Sequence, residues 1–155
     1  MNRRLSLLLL CLGVSGMLCA RQKHAVGIHC GSMTFDIEYQ YRFNEKNFLS
    51  ATAGLFSDGE GIVAQGTYNW NIREWKDWTP HFATWKFWAG VGGGLGVYGE
   101  YICVGPAGTL GFGFVTKKVP LYCGVDLRPM LTLAVGDGIG CFNVGNIGLT
   151  LGYCF

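Results

Sequence analysis

Past its first twenty residues the chain alternates apolar and polar positions with a period of two, the repeat of a β-strand. Between Thr34 and Phe43 one set reads Phe35, Ile37, Tyr39, Tyr41, Phe43 and the other Thr34, Asp36, Glu38, Gln40, Arg42. A helix would mix the two sets on every face. The separation recurs in Ile62, Ala64, Gly66, Tyr68, Trp70, Ile72 against Val63, Gln65, Thr67, Asn69, Asn71, Arg73. It closes the chain in Ile147, Leu149, Leu151, Tyr153, Phe155 against Asn146, Gly148, Thr150, Gly152, Cys154. Turn-forming clusters at Asn44-Glu45-Lys46, Asp58-Gly59, Lys117-Lys118 and Asp137-Gly138 punctuate the pattern. They divide it into eight segments, about 24–31, 34–43, 47–56, 61–73, 84–98, 106–116, 119–128 and 145–155. Pro106 and Pro129 set two of these limits, because a proline removes a ladder donor from a sheet that has no edge.

The quality of the two faces separates a membrane barrel from a soluble sandwich. The apolar set of all eight segments contains no charged residue, whereas the opposite set carries Asp36, Glu38, Arg42, Arg73, Lys86, Asp126 and Arg128 among many glycines. A sandwich would face its large apolar residues inward and would not concentrate aromatics at strand ends. With strands running alternately up and down, Tyr41, Phe43, Phe48, Trp70, Trp75, Trp78, Trp85, Phe114, Tyr153 and Phe155 fall near one end, and Phe35, Phe56, Tyr98, Tyr101 and Phe142 near the other. Two such belts mark the interfaces of a bilayer. The predicted fold is all-β, a closed antiparallel eight-stranded transmembrane β-barrel with up-and-down meander topology.

Composition agrees with that class. The chain has 155 residues, 12 basic and 10 acidic, with 25 glycines. Residues 1–20 combine Arg3 and Arg4 with an apolar run from Leu5 to Leu18 and a small residue at Ala20, the form of a secretory signal peptide. Its removal leaves a barrel domain over 21–155 with balanced charge, which excludes the basic surplus of a nucleic-acid binder. The mature chain keeps Cys30, Cys103, Cys123, Cys141 and Cys154, an odd number with no metal-ligand spacing, so no metal and no cofactor is expected.

An eight-stranded barrel is just wide enough inside for side chains, so the seven inward charges should pair as a lumen polar network. Inward glycines of the fifth strand make room there for Trp88, Tyr122 and Arg128. Gly94-Leu95-Gly96-Val97-Tyr98-Gly99 matches a nucleotide-binding glycine pattern, but no helix follows it. Gly136-Asp137-Gly138 lacks the carboxylates of a calcium loop. A lipid-modifying enzyme needs a histidine beside a serine and an acid; His29 and Ser32 stand near the top of the first hairpin with no acid in view, and His81 sits in a turn. No catalytic residue is therefore assigned. The loops opposite the termini carry Asp58, Glu60, Glu100 and Asp137 without a base, an acidic rim suited at most to divalent-cation bridging of surface lipids.

The closing Leu149-x-Leu151-x-Tyr153-x-Phe155 resembles the terminal signal by which outer-membrane barrels are recognised for assembly. With Trp88-Ala-Gly90-Val-Gly92 and Asp126-Leu-Arg128-Pro129, the whole mature chain resembles the small eight-stranded outer membrane protein β-barrel family. Cys154 stands where that family commonly has a base. The resemblance implies a monomer in the outer membrane of a Gram-negative bacterium. It would contact outer-membrane lipids and be delivered by periplasmic chaperones and the barrel assembly machinery. The function expected is a structural or envelope-interaction role without catalysis, the alternatives being a lipid A hydrolase or acyltransferase, or a narrow ion or solute channel.

Overall fold

The computed structural model describes residues 23–135 and 139–155; the expected signal peptide and the Asp137-Gly138 turn lie outside them. Eight antiparallel strands close in sequence order: β1 His24–Gly31, β2 Thr34–Arg42, β3 Asn47–Phe56, β4 Gly61–Trp75, β5 Ala83–Tyr98, β6 Tyr101–Thr116, β7 Leu121–Val135 and β8 Ile139–Cys154. β1 pairs with β8, His29 opposite Thr150, and no edge remains around the waist. The expected all-β closed meander is what the chain forms, and no helix of the described residues is long and apolar enough to cross a membrane.

Strand registers fix the shape. One perpendicular circuit runs Ala25, Gln40, Ser50, Thr67, Gly92, Ala107, Met130, Val144. Val144 lies four residues beyond Gly148, the partner of Gly31, so the circuit returns to β1 ten residues above Ala25. A shear of ten over eight strands tilts them by about 40°. Hairpin tips Gly31, Phe56 and Tyr98 all stand six residues above that circuit, so the upper rim climbs as a ramp from β1 to β8.

The inside-out distribution expected from the alternation is realised. Ile37, Leu95, Val91 and Leu149 are each at least 61% exposed. Among the described residues, buried polar side chains outnumber buried apolar ones twelve to seven. On the terminus side the aromatics form two runs of contacts, Tyr41 on Phe43 and Phe43 on Tyr68 with His24 stacked on Phe155, and Trp85 on Phe112 and on Phe114. The opposite belt is corrected: of its expected members Phe35 faces out, whereas Phe56, Tyr98 and Tyr101 follow the inward phase beside the outward Leu55, Val97 and Ile102, and Phe56 packs edge-on against Tyr98. The side chain of Phe142 lies outside the described residues. Phe48 does not join the belt; it follows the inward phase of β3, next to the outward Leu49, and is 7% exposed.

Both proline limits are corrected. β6 begins five residues before Pro106, and β7 continues six residues past Pro129. The ladder tolerates them because both missing donors fall on one seam. Between β6 and β7 the pairs Val104–Leu133, Ala107–Met130 and Leu110–Leu127 keep one register, while the pairs that need a Pro106 or Pro129 N–H are absent. Toward their other neighbours the same residues pair normally, Pro106 with Gly93 and Pro129 with Gly145. The Gly108 carbonyl, left without a donor by Pro129, accepts instead from Gln65 Nε2 at 3.4 Å. A side chain reaching across the lumen thus does the work of a backbone amide.

Glycine placement is corrected as well. Room for the bulky inward residues comes from other strands than the fifth: Trp88 lies over Gly111 and Gly124, and the Tyr122 ring over Gly27 and Gly152. The β5 glycines accommodate Asn69 and Thr109 at Gly90, the β4 backbone at Gly92, and the Met130 thioether at Gly94. Above the barrel waist Met33, Val63, Ala107 and Met130 form an apolar plug.

Candidate functional site: a sealed polar core

Directly below the plug, β1, β2, β7 and β8 bring four charged side chains and an imidazole together. Arg128 is the hub. Its Nε donates to Asp126 Oδ1 at 3.0 Å, and its Nη2 lies 2.9 Å from Asp126 Oδ2, 2.9 Å from Glu38 Oε2 and 3.2 Å from Thr150 Oγ1. Asp126 and Arg128 sit two apart on β7, so the pleat points both inward and lets the guanidinium fork meet the carboxylate side-on. Glu38 also accepts from Ser50 Oγ at 2.5 Å and from Gln40 Nε2 at 3.0 Å.

His29 completes the cluster and corrects the expectation that it faces no acid. It is fully buried; Nδ1 is hydrogen-bonded to Asp36 Oδ2 at 3.0 Å, and Nε2 lies 2.9 Å from Asp126 Oδ1, close but out of line with the ring N–H. Asp36 is further held by Thr34 Oγ1 at 2.7 Å, and Thr34 accepts from Asn146 Nδ2 at 2.6 Å. The chain of polar contacts therefore runs unbroken from β8 through β2 and β1 to β7.

Of the seven inward charges expected from sequence, Asp36, Glu38, Asp126 and Arg128 meet here. Arg42 stands below and joins through Gln40, its Nη2 3.4 Å from Gln40 Oε1. Lys86 is apart from the cluster and pairs with Glu74 at 2.8 Å. Arg73 does not face the lumen. A bulge between Asn71 and Arg73 inserts one residue, so Asn71 opposes Trp88 but Arg73 opposes Phe87, and every side chain beyond changes face. Arg73 is turned out over the Trp75 ring at 5.4 Å, and Glu74 is turned in. The sequence carried a sign of this: Trp75 is apolar on the odd phase, whereas Trp70 and Ile72 are apolar on the even one.

Sequence reasoning missed His29, Thr34, Ser50, Gln40, Asn146 and Thr150 as members. All share the inward parity of the charges, and the two-residue turn at 32–33 sets His29 opposite Asp36. The proposed assembly signal lies elsewhere, on the exterior. Leu149, Leu151 and Phe155 are more than half exposed, and Phe155 closes the barrel through its N–H to the His24 carbonyl at 2.8 Å.

No cluster member is more than 6% exposed. Charges so placed persist because each meets a partner: the gain is local, and removing one partner strands the rest. Chemically the core is a fixed set of mutually compensating charges.

No family model matches the chain, and no curated protein sequence does. A de novo designed transmembrane β-barrel is similar in structure, with a TM-score of 0.54 at 11% identity over 90% of this chain and all of that one. That likeness concerns the fold alone, an eight-strand transmembrane-type barrel.

Proposed function

We propose that this chain is a small integral outer-membrane β-barrel with a structural or envelope-interaction role and no catalytic one. The observation that carries the proposal is the pairing of an apolar exterior, on which Arg73 lies over the Trp75 ring of the aromatic belt, with a closed barrel around a charge-paired core. Closure satisfies the backbone without water, which is what a lipid solvent demands. In water the same exterior would expose far more contiguous apolar surface than a soluble monomer carries.

The core favours a rigid wall over a pore or an active site. Arg128 bridges two carboxylates across the lumen, and Met33, Val63, Ala107 and Met130 lie above it. His29 is hydrogen-bonded to acid but has no route to a substrate. The outer-membrane address rests on the signal-peptide pattern at 1–20 and the Leu149, Leu151, Tyr153, Phe155 terminus; we read the mature protein as a monomer that contacts lipid and the assembly machinery.

Refolding into detergent micelles should give β-type circular dichroism and a gel mobility that changes on boiling. A folded, monodisperse protein in water without detergent overturns the reading. In planar bilayers the folded protein should pass no steady current.

A further inference from the structure

Below the polar core, at the end of the barrel that carries both termini, the lumen opens into a cavity of about 40 Å³. That is room for about three water-sized atoms. Arg42, Lys86, Asn71, Gln40, Trp88 and Tyr122 line it. Three observations characterise this recess. Arg42 forms no ion pair among the described residues, and its contact with Gln40 is long at 3.4 Å. Tyr122 is 6% exposed, yet its hydroxyl has no hydrogen-bond partner, a condition native interiors rarely leave unmet. Lys86 contacts Glu74, while Glu38 behind the recess is already engaged by Ser50, Gln40 and Arg128.

Arg42 and Lys86 thus face the recess against Glu74, leaving a positive balance. The guanidinium, the ammonium and the phenolic O–H offer donors, the amides of Gln40 and Asn71 already donate to Glu38 and to the Glu45 carbonyl, and Trp88 provides an apolar wall. Donors in excess of acceptors define an acceptor-rich guest of matching size. We propose that this mouth binds an oxyanion of the carboxylate or phosphate class, held by Arg42 and Lys86 and receiving a hydrogen bond from the Tyr122 hydroxyl. The cavity is too small for more than the anionic group itself, so the rest of the bearer extends out of the mouth. A lipid phosphate and a free anion share this chemistry.

The test is a titration of the folded, isotope-labelled barrel in zwitterionic micelles with inorganic phosphate and with acetate, chloride balancing the ionic strength. Saturable shifts of the Trp88 indole and Arg42 guanidinium signals are expected. Tyr122→Phe, which removes only the orphaned hydroxyl, and Arg42→Gln should each weaken binding about tenfold, and Glu74→Gln should tighten it. Tighter binding of dodecyl phosphate than of inorganic phosphate would assign a lipid source, and equal binding a free anion. Shifts that stay linear, or an affinity unchanged in Tyr122→Phe, would overturn the proposal.

Discussion

Replacing Arg128 with Met removes the hub of the core while keeping most of its volume. Two carboxylates, Asp126 and Glu38, then lose their common cation, and Thr150 loses a donor. All four side chains are no more than 4% exposed, so no water replaces the lost contacts. Breaking a buried pair from one side costs about 3–5 kcal/mol, because the stranded charge remains. With a urea dependence of about 2 kcal/mol per molar, the unfolding midpoint in lipid vesicles should fall by about 2 M. Neutralising the stranded acids separates this cause from lost packing: the triple variant Arg128→Met, Glu38→Gln, Asp126→Asn should recover most of the loss, as neighbours in one network are not additive. A loss below about 1 kcal/mol in the single variant, or no recovery in the triple one, would refute the reasoning, since a stranded charge carries its full penalty only in a core closed to water.

Other consequences follow from particular contacts. Asp58, in the turn between β3 and β4, accepts from the Glu60 amide and from the Tyr98 hydroxyl, and these bonds hold its carboxyl below the usual carboxylate range. Its favourable contribution is therefore present above the ordinary carboxylate range and is lost as pH falls through the lowered value; carbon-detected titration of Asp58 should show the low midpoint, and Tyr98→Phe should raise it. Gly111→Val places a side chain where Trp88 lies and should destabilise by about 1–3 kcal/mol, as overpacking does; adding Trp88→Leu should restore much of that in the same urea assay. Deleting Phe155 removes the His24 closure and the end of the assembly pattern, so cells should accumulate unassembled chain; normal insertion would contradict our reading of that terminus.

Much of this architecture was legible in the chain because a strand's period of two leaves little freedom: once Phe35 and Ile37 face out, Asp36 and Glu38 face in. What escaped the pattern has local causes. The bulge after Asn71 keeps Ile72 in the apolar series while shifting the phase beyond it, so Arg73 reads as inward until its partner Phe87 is known. The prolines read as strand ends because their tolerance depends on which neighbour each missing N–H faces, a property of the β6–β7 pairing and of the distant Gln65. His29 reads as solitary because its second acid, Asp126, arrives from β7 only when the barrel closes. The recess at the terminus end was invisible for a similar reason: Arg42, Lys86 and Tyr122 come from three strands, and the orphaned hydroxyl is defined by what fails to reach it.

The central claim is that the apolar face of this barrel meets lipid and the polar face does not. Single spin labels placed in a cysteine-free background along β2, β4 and β8, reconstituted in vesicles, would measure this through collision with dissolved oxygen. Labels at Ile37, Ile62 and Leu149 should show high oxygen accessibility, and those at Glu38, Thr67 and Thr150 low, with the alternation reversing phase between Ile72 and Arg73. Uniform accessibility along each strand, or a preference for a water-soluble collider at Ile37 and Leu149, would contradict the account.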